Sequence, residues 1–437
     1  MSLVKKAVTS MGSCCDHEHN YKLHEFNAHQ RDIWTIAMFP ADESKKPQRD
    51  CSKMRIVETA SLEDELSCKK ETIKMATASQ DGSIKLWNLL NECIGILDGG
   101  GRGPTFSVAF APHGKILASS HYDNTIRVWS RVKGPQGPEE DLTKDQRKRR
   151  KKLQIQGYWD CRSVFRGHGN AVNTCVFNPD GTLIASASDD NTIRIWTLDG
   201  KCRNTIRGHT DSVSCCAFSP DGKTLVSASW DRSVKIWRVL NGKCINTLLG
   251  HRNYVWRLDI STDGEYICSC SWDASVRIWS KDGKLLTAIG GHKDRVTSCK
   301  FVPQGDLLAT SSMDGTCKIW TLTGKCVFTF RCIDAEQRSF ERGALCCNWS
   351  NDGHHLISGT DKGMLIVWEL PIGKVEEEKK EHYDVTAVPA LVEEQEKEKE
   401  EAAQTAAERE VEDRDKEQGL SKEQQDRDLE SKSVGET

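Results

Sequence analysis

No apolar run in these 437 residues approaches the ~18 positions that a membrane-crossing helix needs, which excludes a helical span. The first 20 residues hold no apolar stretch of signal-peptide type. With 19 cysteines, an odd number, and no export signal, the thiols are expected to be reduced and the chain intracellular, in the cytoplasm, the nucleus or both. Motifs of common enzyme classes are missing: no phosphate-binding glycine loop, no nucleophile elbow and no paired zinc-ligand motif. No CxxC pair occurs, so no zinc module is expected. No catalytic residue, metal or cofactor is therefore assigned. Tyrosine is scarce too, at 6 residues, and the aromatic complement rests instead on 13 tryptophans.

Those tryptophans recur. Trp87, Trp129, Trp196, Trp237, Trp279, Trp320 and Trp368 end runs of alternating apolar residues, at spacings of 42, 67, 41, 42, 41 and 48. A period near 41 with two interruptions marks a repeat architecture. One unit reads as four strands: Ser212–Phe218, Thr224–Ser229, Ser233–Trp237 and Lys243–Leu248, separated by Asp/Gly turns. A four-stranded sheet cannot bury both faces alone, so the units must stack, and radial stacking leaves few open edges.

The spacing inside each unit is strict. His168, His209, His251 and His292 each precede an Asp by 22 residues (Asp190, Asp231, Asp273, Asp314). Each Asp precedes its Trp by six. His29 to Asp81 is 52, the same unit with thirty residues inserted, and Trp87 follows as before. This Gly-His … Asp … Trp pattern resembles the WD-repeat β-propeller family over about residues 21–370. The resemblance implies an all-β, seven-bladed propeller of four-stranded antiparallel sheets. It also implies that each His, turn Asp, strand Ser and Trp form a buried hydrogen-bonded network, a structural role rather than a metal or catalytic one. Departures exist: none of these seven repeat-ending tryptophans is followed by Asp, repeat two lacks the His, and repeat seven lacks both His and Asp, with Lys362 at the Asp position.

Ring closure is also legible. Residues 21–26 match the fourth strand of other repeats with no first three before them, and no fourth strand follows Trp368. The N-terminal strand should complete the last sheet. Residues 1–20 are then a flexible N-terminus, 41–72, 131–157 and 331–342 are insertions, and 371–437 are a tail. From Ile372 onward 22 acids face 11 bases, a net of −11, while the remainder carries 42 acids and 50 bases, a net of +8. The tail, Glu/Lys-rich and without Trp or Phe, is expected to be disordered or helical. The second insertion contains six consecutive bases, Arg147, Lys148, Arg149, Arg150, Lys151 and Lys152, a nuclear-import candidate or otherwise a solvated loop. No aromatic residues interleave with them, which disfavours nucleic acid.

In a propeller of this kind three positions per repeat reach the top rim. Here they collect Trp34 and Asp32 in repeat one, Phe106 and Tyr122 in repeat two, and Asp189 with Asn173 in repeat three. Repeat four adds Trp230, and repeat five adds Tyr254, Trp256 and Trp272; repeats six and seven supply Arg295, Met313, Leu345 and Asp361. Aromatics at positions that the repeat leaves free are interface anchors. The expected function is a non-catalytic scaffold, a monomeric ring within a larger complex, that binds proteins or peptides on this face and touches no membrane. An Arg or methylated Lys side chain is expected to enter between Trp256 and Trp34 or Phe106, with Asp32 and Asp189 supplying charge, at about 0.5–2 kcal/mol per cation–π contact. The alternative is a ubiquitin-ligase substrate receptor. Trp159-Asp160-Cys161-Arg162 spells the docking box such receptors carry, before a fourth strand rather than after a third.

Overall fold

A computed structural model describes residues 22–40, 73–88, 90–98, 103–133, 144–155, 158–303, 307–332 and 343–370. The chain divides into two units, Met1–Lys380 and Glu381–Thr437, and the described residues all belong to the first. The expectations for 1–20, for 41–72, for most of 331–342 and for the tail fall outside the described residues.

After β1 (Lys22–Asn27), blade one comprises β2 (Ile33–Met38), β3 (Ile73–Ser79), β4 (Ser83–Asn88) and β5 (Cys93–Asp98). Blade two follows with β6 (Thr105–Phe110), β7 (Ile116–His121), β8 (Ile126–Arg131) and, after helix α1 (Lys144–Ile155), β9 (Trp159–Phe165). Blade three is β10 (Val172–Phe177), β11 (Leu183–Ser188), β12 (Ile193–Thr197) and β13 (Cys202–Ile206). Blade four is β14 (Val213–Phe218), β15 (Thr224–Ser229), β16 (Val234–Arg238) and β17 (Cys244–Leu248). Blade five is β18 (Val255–Ile260), β19 (Tyr266–Ser271), β20 (Val276–Ser280) and β21 (Leu285–Ile289). Blade six is β22 (Val296–Phe301), β23 (Leu307–Ser312), β24 (Thr316–Thr321) and β25 (Cys326–Arg331). Blade seven is β26 (Ala344–Trp349), β27 (His355–Thr360) and β28 (Met364–Glu369), and its fourth strand is β1.

The fold is thus a seven-bladed β-propeller of four-stranded antiparallel sheets, closed by the N-terminal strand. Phe26 of β1 pairs with Leu365 of β28, and its ring packs 5.1 Å from Trp87. The joint is tight at Gly363. Its carbonyl accepts the N–H groups of Ala28 and His29, its φ is +76°, and a Cβ there would sit 2.1 Å from the His29 oxygen. Only glycine fits.

Second strands such as LIASAS and TLVSAS are buried almost throughout, their small Ala and Ser side chains letting neighbouring blades approach. The apolar core is split accordingly. Seven clusters of buried residues lie between adjacent blades, for example Ala185, Ile195 and Ile206 of blade three with Val213, Leu225 and Trp237 of blade four. No blade owns a core, so the ring stands or falls as one.

The repeated polar residues do what the spacing implies. In blade four His209 Nδ1 meets Asp231 at 2.7 Å and its Nε2 meets Ser227 Oγ at 2.7 Å, while Trp237 Nε1–H donates to the same Ser227 at 2.7 Å. His29, Asp81 and Trp87 repeat this through Thr77, and His168, Asp190 and Trp196 through Ser186. His251, Asp273 and Trp279 use Ser269; His292, Asp314 and Trp320 use Thr310. Blade two departs from expectation. It lacks the loop His, yet His121, from the end of β7, meets Ser119 at 2.8 Å, and Trp129 donates to that same serine at 2.9 Å. In blade seven Trp368 Nε1–H donates to Ser358 at 3.1 Å, and no histidine joins it among the described residues.

These networks titrate. Burial pushes His29, His121 and His251 below the ordinary histidine value; for His121, held at about 3, Arg127 adds to the effect and Asp123 opposes it. Burial alone would raise Asp81, Asp190, Asp231, Asp273 and Asp314. Hydrogen bonds from the paired His and from Ser, Thr or backbone N–H outweigh it, and all five lie below the usual carboxylate range. Below about pH 6.5 the unfolded chain binds protons on these histidines that the folded chain refuses, so stability falls with pH. A second loss begins near pH 4, where unfolded aspartates protonate and folded ones do not. The midpoint of urea unfolding should therefore drop in two stages on acidification. A midpoint unchanged between pH 7 and 5 would contradict the first stage.

The basic run lies in a helix. Arg147–Lys152 occupy the middle of α1, which the burial of Leu153 fixes to the body and which ends as Tyr158 N–H bonds to the Leu153 carbonyl at 2.7 Å. The run is helical rather than a loop, ordered by an apolar anchor and a helical end bond, while Arg147, Lys148, Arg149, Lys151 and Lys152 are exposed to solvent as a solvated segment would be.

Candidate protein-interaction site

The rim aromatics lie on the second residue of a first strand (Trp34, Phe106, Trp256), on the residue before a second-to-third-strand turn (Tyr122, Trp230, Trp272) or, for Tyr254, just ahead of β18, so separate blades deliver them to one opening. Seven of them form an unbroken chain of ring contacts. Tyr122 lies 6.3 Å from Phe106, Phe106 6.1 Å from Trp34, and Trp34 6.4 Å from Trp256 across the opening. Trp256 lies 5.2 Å from Trp272 and stacks on Trp230 at 6.3 Å; Trp230 stacks on Tyr254 at 5.0 Å. All are partly exposed, and Tyr122 is 58 % exposed.

Two cations already use this surface. Arg295 sits 4.4 Å over the Trp272 ring. Arg257, on β18, reaches across the ring to the Trp34 carbonyl and Thr35 Oγ1, each at 3.4 Å. The third residue of a first strand is Thr, Ser or Cys in every other blade, and only the folded ring shows that an arginine there spans the channel. Trp34 and Trp256 are in contact at a 44° tilt, so a cation finds no gap between them. Of the two expected acids, Asp189 is committed: its Oδ1 accepts Asn173 Nδ2–H at 2.6 Å and the Ser212 hydroxyl. Asp32 differs. Burial raises its pKa; its own backbone N–H lowers it, the charge of Asp361 raises it and that of Arg31 lowers it.

The rim also carries strain. The residue after the turn Asp, or after its Lys362 counterpart, has positive φ in all seven blades: Gly82, Asn124, Asn191, Arg232, Ala274, Gly315 and Gly363. Arg232 and Ala274, the two poorly suited to it, belong to the turns of Trp230 and Trp272, at a cost of about 1–2 kcal/mol each. The indole N–H groups of Trp34 and Trp230 are buried and have no acceptor among the described residues.

Other expected features have structural duties. Trp159 of the Trp-Asp-x-Arg string is 1 % exposed within β9 and pairs with Arg131, while Arg162 is exposed. Cys175, Cys215, Cys216, Cys299, Cys346 and Cys347 are buried in their strands, whereas Cys93 and Cys202 are exposed, and burial drives Cys175 and Cys347 up to about 12. Among the described residues no group of three or more His, Cys, Asp or Glu converges to hold a metal, and no helix is long and apolar enough to cross a membrane.

A family model described as WD domain, G-beta repeat, matches residues 20–88, 91–130 and 159–197, and a second, IFT122 first beta-propeller, matches 216–395. The chain belongs to the WD40-repeat β-propeller family. WD40 propellers generally act as protein-interaction scaffolds. Among curated relatives, a probable cytosolic iron-sulfur protein assembly protein 1 of Kluyveromyces lactis is 30 % identical over 127 residues, 29 % of this chain and 34 % of that protein. The corresponding protein of Cryptococcus neoformans is 24 % identical over 179 residues, 39 % and 38 % of the two chains. The human WD repeat and SOCS box-containing protein 1 is 33 % identical over 133 residues, 30 % of this chain and 25 % of that one. The matches thus span about a third of the length of these WD40 relatives.

Proposed function

We propose that this protein is a non-catalytic scaffold that holds a segment of a partner protein on the aromatic top rim and bridges it into a multiprotein assembly. The observation that carries the proposal is the continuous cluster of Trp34, Phe106, Tyr122, Trp230, Tyr254, Trp256 and Trp272, at positions the blades do not need for folding. Rigid, partly exposed indoles of this kind dominate the energetics of protein interfaces. A partner's Arg or Lys stacks on Trp230 or Tyr254, since Arg257 already spans the channel, and Asp32 supplies the opposing charge.

Affinity purification with quantitative mass spectrometry, on the intact chain and on Trp256→Ala and Trp230→Ala, tests this. Each variant should lose the same partners by about 30-fold, equivalent to a hot spot of ~2 kcal/mol, while melting as the parent does. Partners retained at parental levels in both variants would reject the proposal.

A further inference from the structure

Blade four is longer than its neighbours by one residue. Between the third-strand Trp and the start of the fourth strand, blades one, three, five and six carry five residues, whereas blade four carries six, Arg238–Lys243. The turn closes differently as a result. Gly200, Gly283 and Gly324 donate to the carbonyl three residues back, but Gly242 N–H donates to Arg238, four back, at 2.8 Å. The extra residue is Leu240, 78 % exposed, and on β17 Ile245 is 50 % exposed. Nothing in the repeat requires an aliphatic side chain in water here.

Beside this turn, between blades three and four, lies a groove of about 840 Å³. Its apolar lining is Leu183, Ile195, Val239, Leu240 and Ile245. Arg203, Lys223 and Arg238 line it as well, against one carboxylate, Asp221, 3.9 Å from Lys223. Arg203 and Arg238 make no ion pair among the described residues. The first-to-second and third-to-fourth strand turns build this groove, so it opens on the face opposite the aromatic rim. The edge strand β13 borders it and offers backbone groups to an extended segment.

We infer that the groove is a second docking site, which takes an extended partner segment bearing aliphatic side chains flanked by carboxylates. Charge complementarity selects this occupant: the cations require acids and the apolar lining requires aliphatics. A second copy of the chain would set these same cations against each other.

Panning a display library of random linear peptides on the full-length chain tests the inference, followed by fluorescence polarisation of the enriched peptides. The enriched sequences should combine Val, Leu or Ile with Asp or Glu. Leu240→Asp and Arg238→Glu, both at exposed positions and with parental melting, should each weaken binding at least tenfold, and Trp256→Ala should leave it unchanged. Four outcomes would overturn the inference: no enriched sequence, a consensus without acids, binding indifferent to Leu240→Asp, or a Leu240-dependent dimer in light scattering. Because the Trp256 variant is the internal control, failure here and failure at the aromatic rim are separable.

Discussion

A chain lacking residues 1–27 is expected to lose its cooperative melt and to precipitate. The deletion removes the outermost strand of blade seven and strips the packing of Phe26 from Trp87. It also uncovers the backbone edge of β28, whose sequence MLIVWE is uncharged until its last residue and rich in β-formers. Such an edge pairs readily with other chains. Because every apolar cluster is shared by two blades, damage to blade seven spreads to blades one and six. Static light scattering and circular dichroism measure both effects. A synthetic peptide spanning residues 20–30, added in trans during refolding, should rescue the soluble ring. Gly363→Ala, which crowds the His29 carbonyl, should weaken the same joint in the full chain. A soluble, monomeric deletion variant with an unchanged melting curve would show that closure is dispensable.

Ser227→Ala should cost about 2–5 kcal/mol, because two buried groups, the Trp237 N–H and His209 Nε2, lose their common partner at once. Ser358→Ala in blade seven provides the comparison. There Trp368 N–H donates to the serine at 3.1 Å, and the thiols of Cys332, at 3.8 Å, and Cys317 stand in the place of a histidine. Its loss should be about half as large. Urea unfolding monitored by fluorescence yields both values, and equal losses would mean that the histidine contributes nothing to the network.

Much of the fold was visible in the sequence because a propeller repeats its constraints. The 22-residue His-to-Asp interval measures one route through a blade, and the unmatched strand before His29 signals closure. What escaped notice depends on a single blade. His121 stands where Ser188 stands in blade three, and only the fold shows its ring turning inward to Ser119. Arg257 meets Trp34 more than two hundred positions away in the chain, so no local pattern could reveal it. The rim aromatics were legible as free positions, but their contact across the opening depends on the channel's width, which periodicity does not encode. Leu240 was within reach, since the Trp237-to-Trp279 spacing is 42 rather than 41. One surplus residue reads as noise until the turns are compared bond by bond.

The seam between β1 and β28 also sets a timetable for biosynthesis. The ribosome releases β1 first, and its hydrogen-bonding partner begins about 340 residues later. At roughly 5–20 residues per second, the nascent first strand waits about 15–70 s before a complete ring is possible. Through that interval blade one shows a bare flank to solvent, so yield in the cell should depend on whatever shelters it until β28 emerges.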